Sequence, residues 1–259
     1  MENTLAHNLF KKFNKALRHY HLIDNGDRIL VAVSGGKDSL TLLRLLQLDQ
    51  GKIPVSFDLV AVHVESDFRC AGCVHKEILR KLFKSVNIEF SFEQIRMTLD
   101  KDGKRRTPNC FWCSWNRRKA LFLAAQRLGC NKVAFGHHAD DVAETTLLNL
   151  FFHGRLETME PKVLFFKGKI TVIRPLVFVP EREILRFAKE SGFPSQLCQC
   201  PNNLTSKRAR MKEILKSIEK ECPKAKVNLY KAVENKMVWD REDGTHGVNE
   251  KTDSQFLLS

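Results

Sequence analysis

Two short segments carry residue types whose spacing could do chemistry: the run VAVSGGKDSL and the C-x-x-C formed by Cys110 and Cys113. In the first segment an apolar stretch ends at Ser34, and glycines and charged residues follow. Glycines let the backbone approach an anion closely, and the N–H groups at the start of a helix bind phosphate. The segment therefore predicts a phosphate cradle at the end of a buried strand.

We expect six residues of one turn to build this cradle. They are Ser34, Gly35, Gly36, Lys37, Asp38 and Ser39. The glycine backbone and the two serine hydroxyls supply donors, and Lys37 supplies a positive charge. Asp38 is unusual because a carboxylate repels phosphates, so it indicates either a Mg²⁺ ligand or a helix cap. The turn matches neither the Walker A motif nor the G-x-G-x-x-G of a dinucleotide-binding fold.

The cysteines form three close pairs, which in a chain without a signal peptide are typical of metal or redox sites rather than disulfides. The eight are Cys70, Cys73, Cys110, Cys113, Cys130, Cys198, Cys200 and Cys222. Taken alone, the second pair fits half a zinc site, a redox pair, part of an iron–sulfur ligand set, or two packed thiols. The first pair fits a metal half-site, a sulfur relay or, as we prefer, an inert or auxiliary role. Cys222 is solitary, and Cys130 is expected in the core.

The surrounding elements alternate between strands and helices, which predicts an α/β fold with a doubly wound parallel sheet. Four strands are expected, at RILVAVS, FDLVAVHVE, IEFSFEQI and KVAFGHH. Ligands of such sheets bind beyond the carboxyl ends of the strands, so the exits at Ser34 and at Gly136 should face the same site. The segment DKDGKRRTPN is expected to be a basic loop, with the C-x-x-C still in that loop before a helix.

The later part of the chain predicts helical and hairpin additions to this sheet, with a hairpin turned at Gly168. We divide the chain into an N-terminal helix (1–26), a nucleotide-binding domain with cysteine-bearing loops (27–222) and a C-terminal segment (223–259). From about residue 241 the polar composition predicts disorder.

The net charge and the hydropathy of the chain limit its possible partners and location. The formal net charge of +13 indicates either a basic surface or a polyanionic partner such as nucleic acid. No run approaches the roughly 18 apolar residues that span a membrane, and the N-terminus has no signal-peptide pattern. We therefore expect a cytoplasmic protein without a membrane partner.

The string SGGKDS resembles the PP-loop of the ATP pyrophosphatase superfamily, whose members bind ATP, adenylate a carbonyl oxygen and release pyrophosphate. The order of the motifs is that turn, the C-x-x-C before RRKALFLAAQRLG, then GHHADD, VIRPL and CQCPNN. This order, over roughly Phe13 to Lys226, resembles the tRNA 2-thiocytidine synthetase (TtcA-like) family.

The resemblance implies an ATP-dependent tRNA sulfurtransferase that thiolates a cytidine of the anticodon loop. It implies ATP, Mg²⁺ and a [4Fe-4S] cluster held by only three cysteines. The catalytic residues would be Asp38, Cys110 and Cys113. The third ligand would be Cys200, preferred over Cys198 because its Cys-Pro step resembles related thiouridine enzymes.

Further residues receive roles from the same resemblance. The nucleotide site would include His63 near adenine, together with Gly136, His137 and Asp141 at the rim. His137 and His138 also fit cluster ligation or packing. Asp140 and Asp141 would join Asp38 at Mg²⁺, or cap a helix.

The basic segments 101–106 and 206–212, with Arg117 and Arg118, would hold the tRNA backbone. Phe111 and Trp112 would stack on a flipped base or pack in the loop. The implied partners are tRNA and a sulfur donor such as a cysteine desulfurase, and a homodimer stays open. Two alternatives remain: another PP-loop tRNA-modifying enzyme, such as a lysidine-synthetase-like ligase or a thiouridine synthase, and a zinc-stabilised RNA-binding module.

Overall fold

Strands and helices alternate along the chain, in agreement with the sequence pattern. The computed structural model describes residues 3–67, 76–97, 110–194 and 207–242. The helices in these ranges are α1 (Asn3–His19), α2 (Lys37–Asp49), α3 (Lys76–Ser85), α4 (Cys110–Arg127), α5 (Ala139–His153), α6 (Glu181–Glu190), α7 (Lys207–Glu221) and α8 (Ala225–Glu242). The strands are β1 (Asp27–Ala32), β2 (Phe57–Ser66), β3 (Glu89–Ile95), β4 (Lys132–Ala134), β5 (Lys162–Phe165) and β6 (Ile170–Ile173).

The strands form a six-stranded sheet in the order β3-β2-β1-β4-β6-β5. All neighbours are parallel except β5, which pairs antiparallel with β6. Leu30 on β1 aligns with Val60 on β2 and with Val133 on β4. The doubly wound α/β fold is confirmed, and the hairpin at Gly168 extends the sheet because β6 pairs with β4.

The aliphatic strands are buried because helices cover both faces of the sheet. Ile29 and Val31 of β1 lie in a core shared with α1, α2, α3 and α6. Leu30, between them, lies in a second core with α4, as period-two alternation requires. Cys130 is 5% exposed in that second core, so its predicted core position is confirmed.

The C-x-x-C lies on a helix, and the prediction that it lies in a loop was wrong. Cys110 is the first residue of α4 and Cys113 lies in its first turn. The polar run before these cysteines hid the helix start, because Phe and Trp are weak helix formers. In the sequence Cys110 follows Asn109, a residue type that favours helix N-termini.

The termini of the described chain pack more than the sequence indicated. In α1, Leu9, Phe13 and Ala16 are fully buried against the same core as α2 and α6. At the other end, α8 was not predicted.

The division at residues 26 and 222 stays a prediction, and the predicted disorder from about 241 falls almost wholly outside the described residues. Within the described ranges, no helix is both long and apolar enough to cross a membrane.

Candidate active site

The SGGKDS turn connects β1 to α2 and is held by its own serines. The Ser34 and Ser39 hydroxyl oxygens lie 3.1 Å apart, and Ser39 Oγ donates to the Gly36 carbonyl at 2.9 Å. Gly35 has a φ of 88°, a left-handed conformation that favours glycine. Gly36 caps α2 without a side-chain hydrogen bond, so the predicted capping role of Asp38 is not observed. The turn therefore leads directly into the N-terminus of α2, which is the arrangement that a phosphate cradle requires.

Where the chain leaves β4, Gly136 lies against the backbone of this turn. A Cβ on Gly136 would lie 3.0 Å from the carbonyl carbon and oxygen of Asp38, and 3.1 Å from the Ser39 nitrogen. These separations are tighter than nearly all real Cβ contacts. Glycine is therefore needed because two strand exits approach backbone to backbone.

A cleft of about 440 Å³ opens where β1 and β4 diverge, which is the topological switch point of the sheet. Six predicted residues line it: Ser34, Asp38, Ser39, Gly136, His137 and Asp141. The remaining wall comes from Ala32, Val33 and Phe135 beside these residues, and from β2, α4 and Arg208 of α7. The structure thus brings together residues from five separate segments of the chain.

Lys37 lies between two carboxylates at the edge of the turn. Its Nζ is 2.9 Å from Asp38 Oδ1 and 3.1 Å from Glu181 Oε1, and Glu181 also accepts from Lys212 at 2.7 Å. Burial acts to lower the pKa of Lys37, but the two carboxylates raise it overall. Burial acts to raise the pKa of Glu181, but Lys212 and Lys37 lower it to about 2. Glu181 was missed from the sequence because an acidic residue in the first turn of a helix usually only complements the helix dipole.

The start of α5 adds a carboxylate to the cleft. His138 and Asp141 form a reciprocal capping box, in which the His138 N–H donates to Asp141 Oδ2 at 2.9 Å. Asp140 instead accepts from the Glu181 N–H at 2.7 Å and pairs with Lys226 at 2.5 Å. Of the two aspartates, Asp141 is therefore the one that shares the cleft with Asp38. In the described part of the chain, no group of three His, Cys, Asp or Glu residues could hold a metal ion.

The two histidines predicted at the nucleotide have different surroundings. His137 lines the cleft, and its Nδ1 is 3.3 Å from the Nε of Arg174. Burial, followed by the Arg174 charge, lowers the pKa of His137 to about 3, so the ring is neutral at pH 7. His63 is 8% exposed, with its Nδ1 2.6 Å from the Val33 carbonyl. The contact of His63 with adenine stays a prediction.

Strand alternation explains the position of His63. β2 contributes Val62 and Val64 to the cleft, and His63 points to the other face, where its ring centroid lies 6.1 Å from that of Phe92. Burial lowers the pKa of His63. In this structure His63 supports the strand that leads into the turn.

The first turns of α4 carry the cysteines toward the cleft. Ser114, Arg117, Arg118 and Leu121 line the cleft, at the spacing of one helical face. Cys110 precedes Ser114 by one helical turn, and Cys113 is a half-buried free thiol. α4 therefore begins at the C-x-x-C and lines the cleft from its next turn onward. Cys70, Cys73, Cys198 and Cys200 lie outside the described residues, as does the basic segment 101–106.

The aromatic residues of α4 divide into a packed pair and an exposed ring. Trp112 stacks on Trp115 with ring centroids 5.4 Å apart, as the packing alternative requires. Phe111 is 47% exposed, so it remains accessible to a base.

Residues 3–215 match the PP-loop domain family. The tRNA-cytidine(32) 2-sulfurtransferase of Geobacter sulfurreducens is 43% identical over 226 residues, covering 85% of this chain and 86% of the relative. The enzyme of the same name from Citrifermentans bemidjiense is 40% identical over 229 residues, covering 86% and 88%.

A solved structure supports the fold. The U34-tRNA thiolase NcsA from Methanococcus maripaludis, solved with its [4Fe-4S] cluster, superposes with a TM-score of 0.69. The match covers 89% of this chain and 78% of NcsA at 23% identity.

Proposed function

We propose that this chain, which belongs to the PP-loop family of tRNA-cytidine(32) 2-sulfurtransferases, replaces the C2 oxygen of an anticodon-loop cytidine with sulfur. One observation carries the proposal. A single cleft is lined by the SGGKDS turn and by the face of α4 that begins beside Cys110 and Cys113. Activation of the base and delivery of sulfur would therefore occur within one site.

ATP fits the turn side of this cleft. The backbone around Gly35 and Gly36 approaches an anion without a Cβ in the way, and the start of α2 faces the same space. Lys37 adds a positive charge, and Asp38 holds its largely buried side chain beside the turn. These residues would hold the β- and γ-phosphates that leave as pyrophosphate.

Asp38 and Asp141 are the carboxylates that face the cleft, and carboxylate oxygens are the ligands that Mg²⁺ prefers in phosphate sites. Both would hold the ion against the nucleotide. The cytidine O2 would attack the α-phosphorus, and the oxygen would then leave C2 with AMP once sulfur adds.

Cys110 and Cys113 would hold the [4Fe-4S] cluster with Cys200, which lies outside the described residues. The first turn of α4 contains both cysteines, and the next turns of the same helix line the cleft. The bound cluster would supply an iron site open to sulfur from a donor such as a cysteine desulfurase. Arg117 fixes α4 on the sheet because it donates to the Val64 carbonyl at 3.0 Å.

Nucleoside mass spectrometry of tRNA from a strain that lacks this gene tests the proposal. We expect 2-thiocytidine to be lost and to return with the wild-type gene, but not with Cys110→Ala or Asp38→Ala. Cys222→Ala is the matched control: this exposed thiol follows the last residue of α7 and is not part of the cleft wall, so the variant should restore the nucleoside. Unchanged 2-thiocytidine in the deletion strain would contradict the proposed substrate.

A further inference from the structure

A groove between α1 and α6 takes no part in the chemistry proposed above. It encloses about 480 Å³ and is lined by Asn8 of α1 and by Arg182, Glu183 and Arg186 of α6. None of these residues belongs to the wall of the cleft. All four lining side chains are polar or charged, so this second concave surface suits a polar ligand.

The two arginines of this α1–α6 groove carry positive charge that the protein itself does not pair. Arg182 and Arg186 are exposed and lie on neighbouring turns of one face of α6. Among the residues that the structure describes, neither arginine forms an ion pair or a hydrogen bond. A planar guanidinium binds two phosphate oxygens at once, so the pair suits a phosphate-bearing ligand.

The carboxylate of the groove is directed away from such a ligand. Glu183 pairs through its Oε1 with Lys12 of α1, and its side chain is only 12% exposed. The other oxygen, Oε2, is buried as well, so the charge of Glu183 faces Lys12 and the protein interior. This ion pair joins α6 to α1 and holds the two walls of the groove together, while the arginines provide the charge that a ligand meets.

α1 adds lysines to the same side of the molecule. Lys11 and Lys15 are exposed and follow Asn8 by about one and two helical turns, so they share its side of α1. Lys15 Nζ lies 5.0 Å from the ring centroid of Phe178, which precedes α6 in the chain. The basic surface therefore extends from the groove along the boundary between the two helices.

The groove lies toward the edge of the sheet at which the cleft opens. α6 begins at that edge, because its first residue, Glu181, pairs with Lys37 of the turn at 3.1 Å. α1 ends at the opposite edge, because the carbonyl of Leu22 accepts a hydrogen bond from Lys132, the first residue of β4. The first half of α1, with Asn8, therefore lies toward the cleft. An RNA with one nucleotide in the cleft would have further backbone near the groove.

We propose that the α1–α6 groove, through Arg182 and Arg186, binds backbone phosphates of the same tRNA outside the nucleotide that enters the cleft. This inference rests on the proposed function. The phosphates of a nucleic acid repeat along its strand, so one RNA can occupy the cleft and the groove together, whereas the phosphates of ATP have the SGGKDS turn. Phosphate contacts position a nucleic acid without reading its sequence. The groove thus orients the tRNA, and recognition of the base stays in the cleft.

Equilibrium binding by the purified full-length protein tests this surface. Two probes are compared: Mg²⁺-ATP, and an anticodon stem–loop RNA with an unmodified cytidine in its loop, titrated over a series of KCl concentrations. The double variant Arg182→Gln/Arg186→Gln should weaken RNA binding by about tenfold or more and reduce the magnitude of the salt slope by about 1.4 to 1.8, with ATP binding unchanged. Lys81→Gln/Lys84→Gln is the charge-matched control, since both lysines are exposed on α3 and line neither the groove nor the cleft.

Arg186→Glu should weaken RNA binding more than Arg186→Gln does, because it places a repelling carboxylate in the groove. Equal RNA binding by the two double variants would overturn the inference while the proposed function stands. Loss of ATP binding with normal RNA binding would also overturn it, because the groove would then serve the nucleotide. A wild-type protein that binds no stem–loop RNA would contradict the inference and the proposed function together.

Discussion

At the scale of single residues, the chemistry depends on side chains that neighbours hold in place before a ligand arrives. Lys37 is fixed by Asp38 within its own turn and by Glu181 from α6. Glu181 also binds Lys212 on α7. An arriving phosphate therefore finds the lysine already oriented, and less entropy is lost when the ion pair with ATP forms.

Glu181→Gln should raise the KM for ATP by roughly three- to tenfold, because one of the two carboxylates that orient Lys37 is lost while the chain keeps its shape. Steady-state pyrophosphate release measures this. Glu183→Gln is the control, since Glu183 lies on the same helix but pairs with Lys12. Equal KM values for the two variants would show that Glu181 does not position the lysine.

The lowered pKa of Glu181 also predicts that the free energy of unfolding falls at acid pH. Its pKa falls from 4.5 in the unfolded chain to about 2 in the fold, so its contribution is complete above about pH 4.5 and is lost as pH falls toward 2. In urea titrations, the free energy of unfolding should fall less steeply over this range for Glu181→Gln than for the wild type. Parallel curves would contradict this assignment.

Gly136→Ala should weaken ATP binding by about tenfold and destabilise the fold by about 1–3 kcal/mol, because the added methyl group meets the Asp38 backbone. Calorimetry with ATP and thermal unfolding measure the two effects. Gly154→Ala separates them: its φ of 62° makes alanine strained at the end of α5, so it should lower Tm and leave ATP binding unchanged. Wild-type ATP affinity in Gly136→Ala would contradict the close approach.

At the scale of elements, the sequence predicted those strands and helices whose formation depends on a local hydrophobic pattern. The aliphatic runs of β1 and β2 and the strand–turn–helix at Ser34 to Ser39 were identified because hydrophobic periodicity is local. The pairing of β6 with β4 was not, since pairing between distant strands leaves no periodic signal. α8 was missed because the buried hydrophobic residues between 225 and 235, the part of this helix whose burial is described, are only Ala225 and Val233.

β4 is short, and a buried ion pair anchors its first residue. Lys132 is 3% exposed and bonds Asp27 at 2.5 Å, Asp24 at 2.7 Å and the Leu22 carbonyl at 2.9 Å. Lys132→Ala leaves the Asp27 carboxylate buried without this partner, and should cost about 3–5 kcal/mol in urea unfolding. Lys162→Ala, whose side chain lies 3.9 Å from Asp24 in a more exposed position, should cost less than about 1 kcal/mol. Similar losses in both variants would contradict this role for the pair.

At the scale of the whole molecule, the fold joins groups that the chain keeps far apart. The nucleotide side of the site was predictable because SGGKDS is contiguous and lies at a strand end. Three residues from the second half of the chain reach this site. Arg208 lines the cleft, Arg174 contacts His137, and Glu181 pairs with Lys37. The two arginines by type alone indicated only a basic surface, because only the fold shows which of the 43 Lys and Arg residues lie near the site.

The proposed chemistry assigns the two steps to different elements. The turn carries Lys37 and Asp38, and Cys113 lies in the first turn of α4, one turn before Arg117 in the cleft wall. Activation of the base should therefore survive the loss of a cysteine, whereas sulfur transfer should not.

The most direct test measures pyrophosphate release and 2-thiocytidine in the same anaerobic reaction of protein, ATP, sulfide and tRNA. We predict that Cys113→Ala releases pyrophosphate in a tRNA-dependent burst but forms no 2-thiocytidine, while Asp38→Ala does neither. Formation of 2-thiocytidine at the wild-type rate by Cys113→Ala would contradict the account. Loss of the burst in a folded, ATP-binding Cys113→Ala protein would contradict it equally.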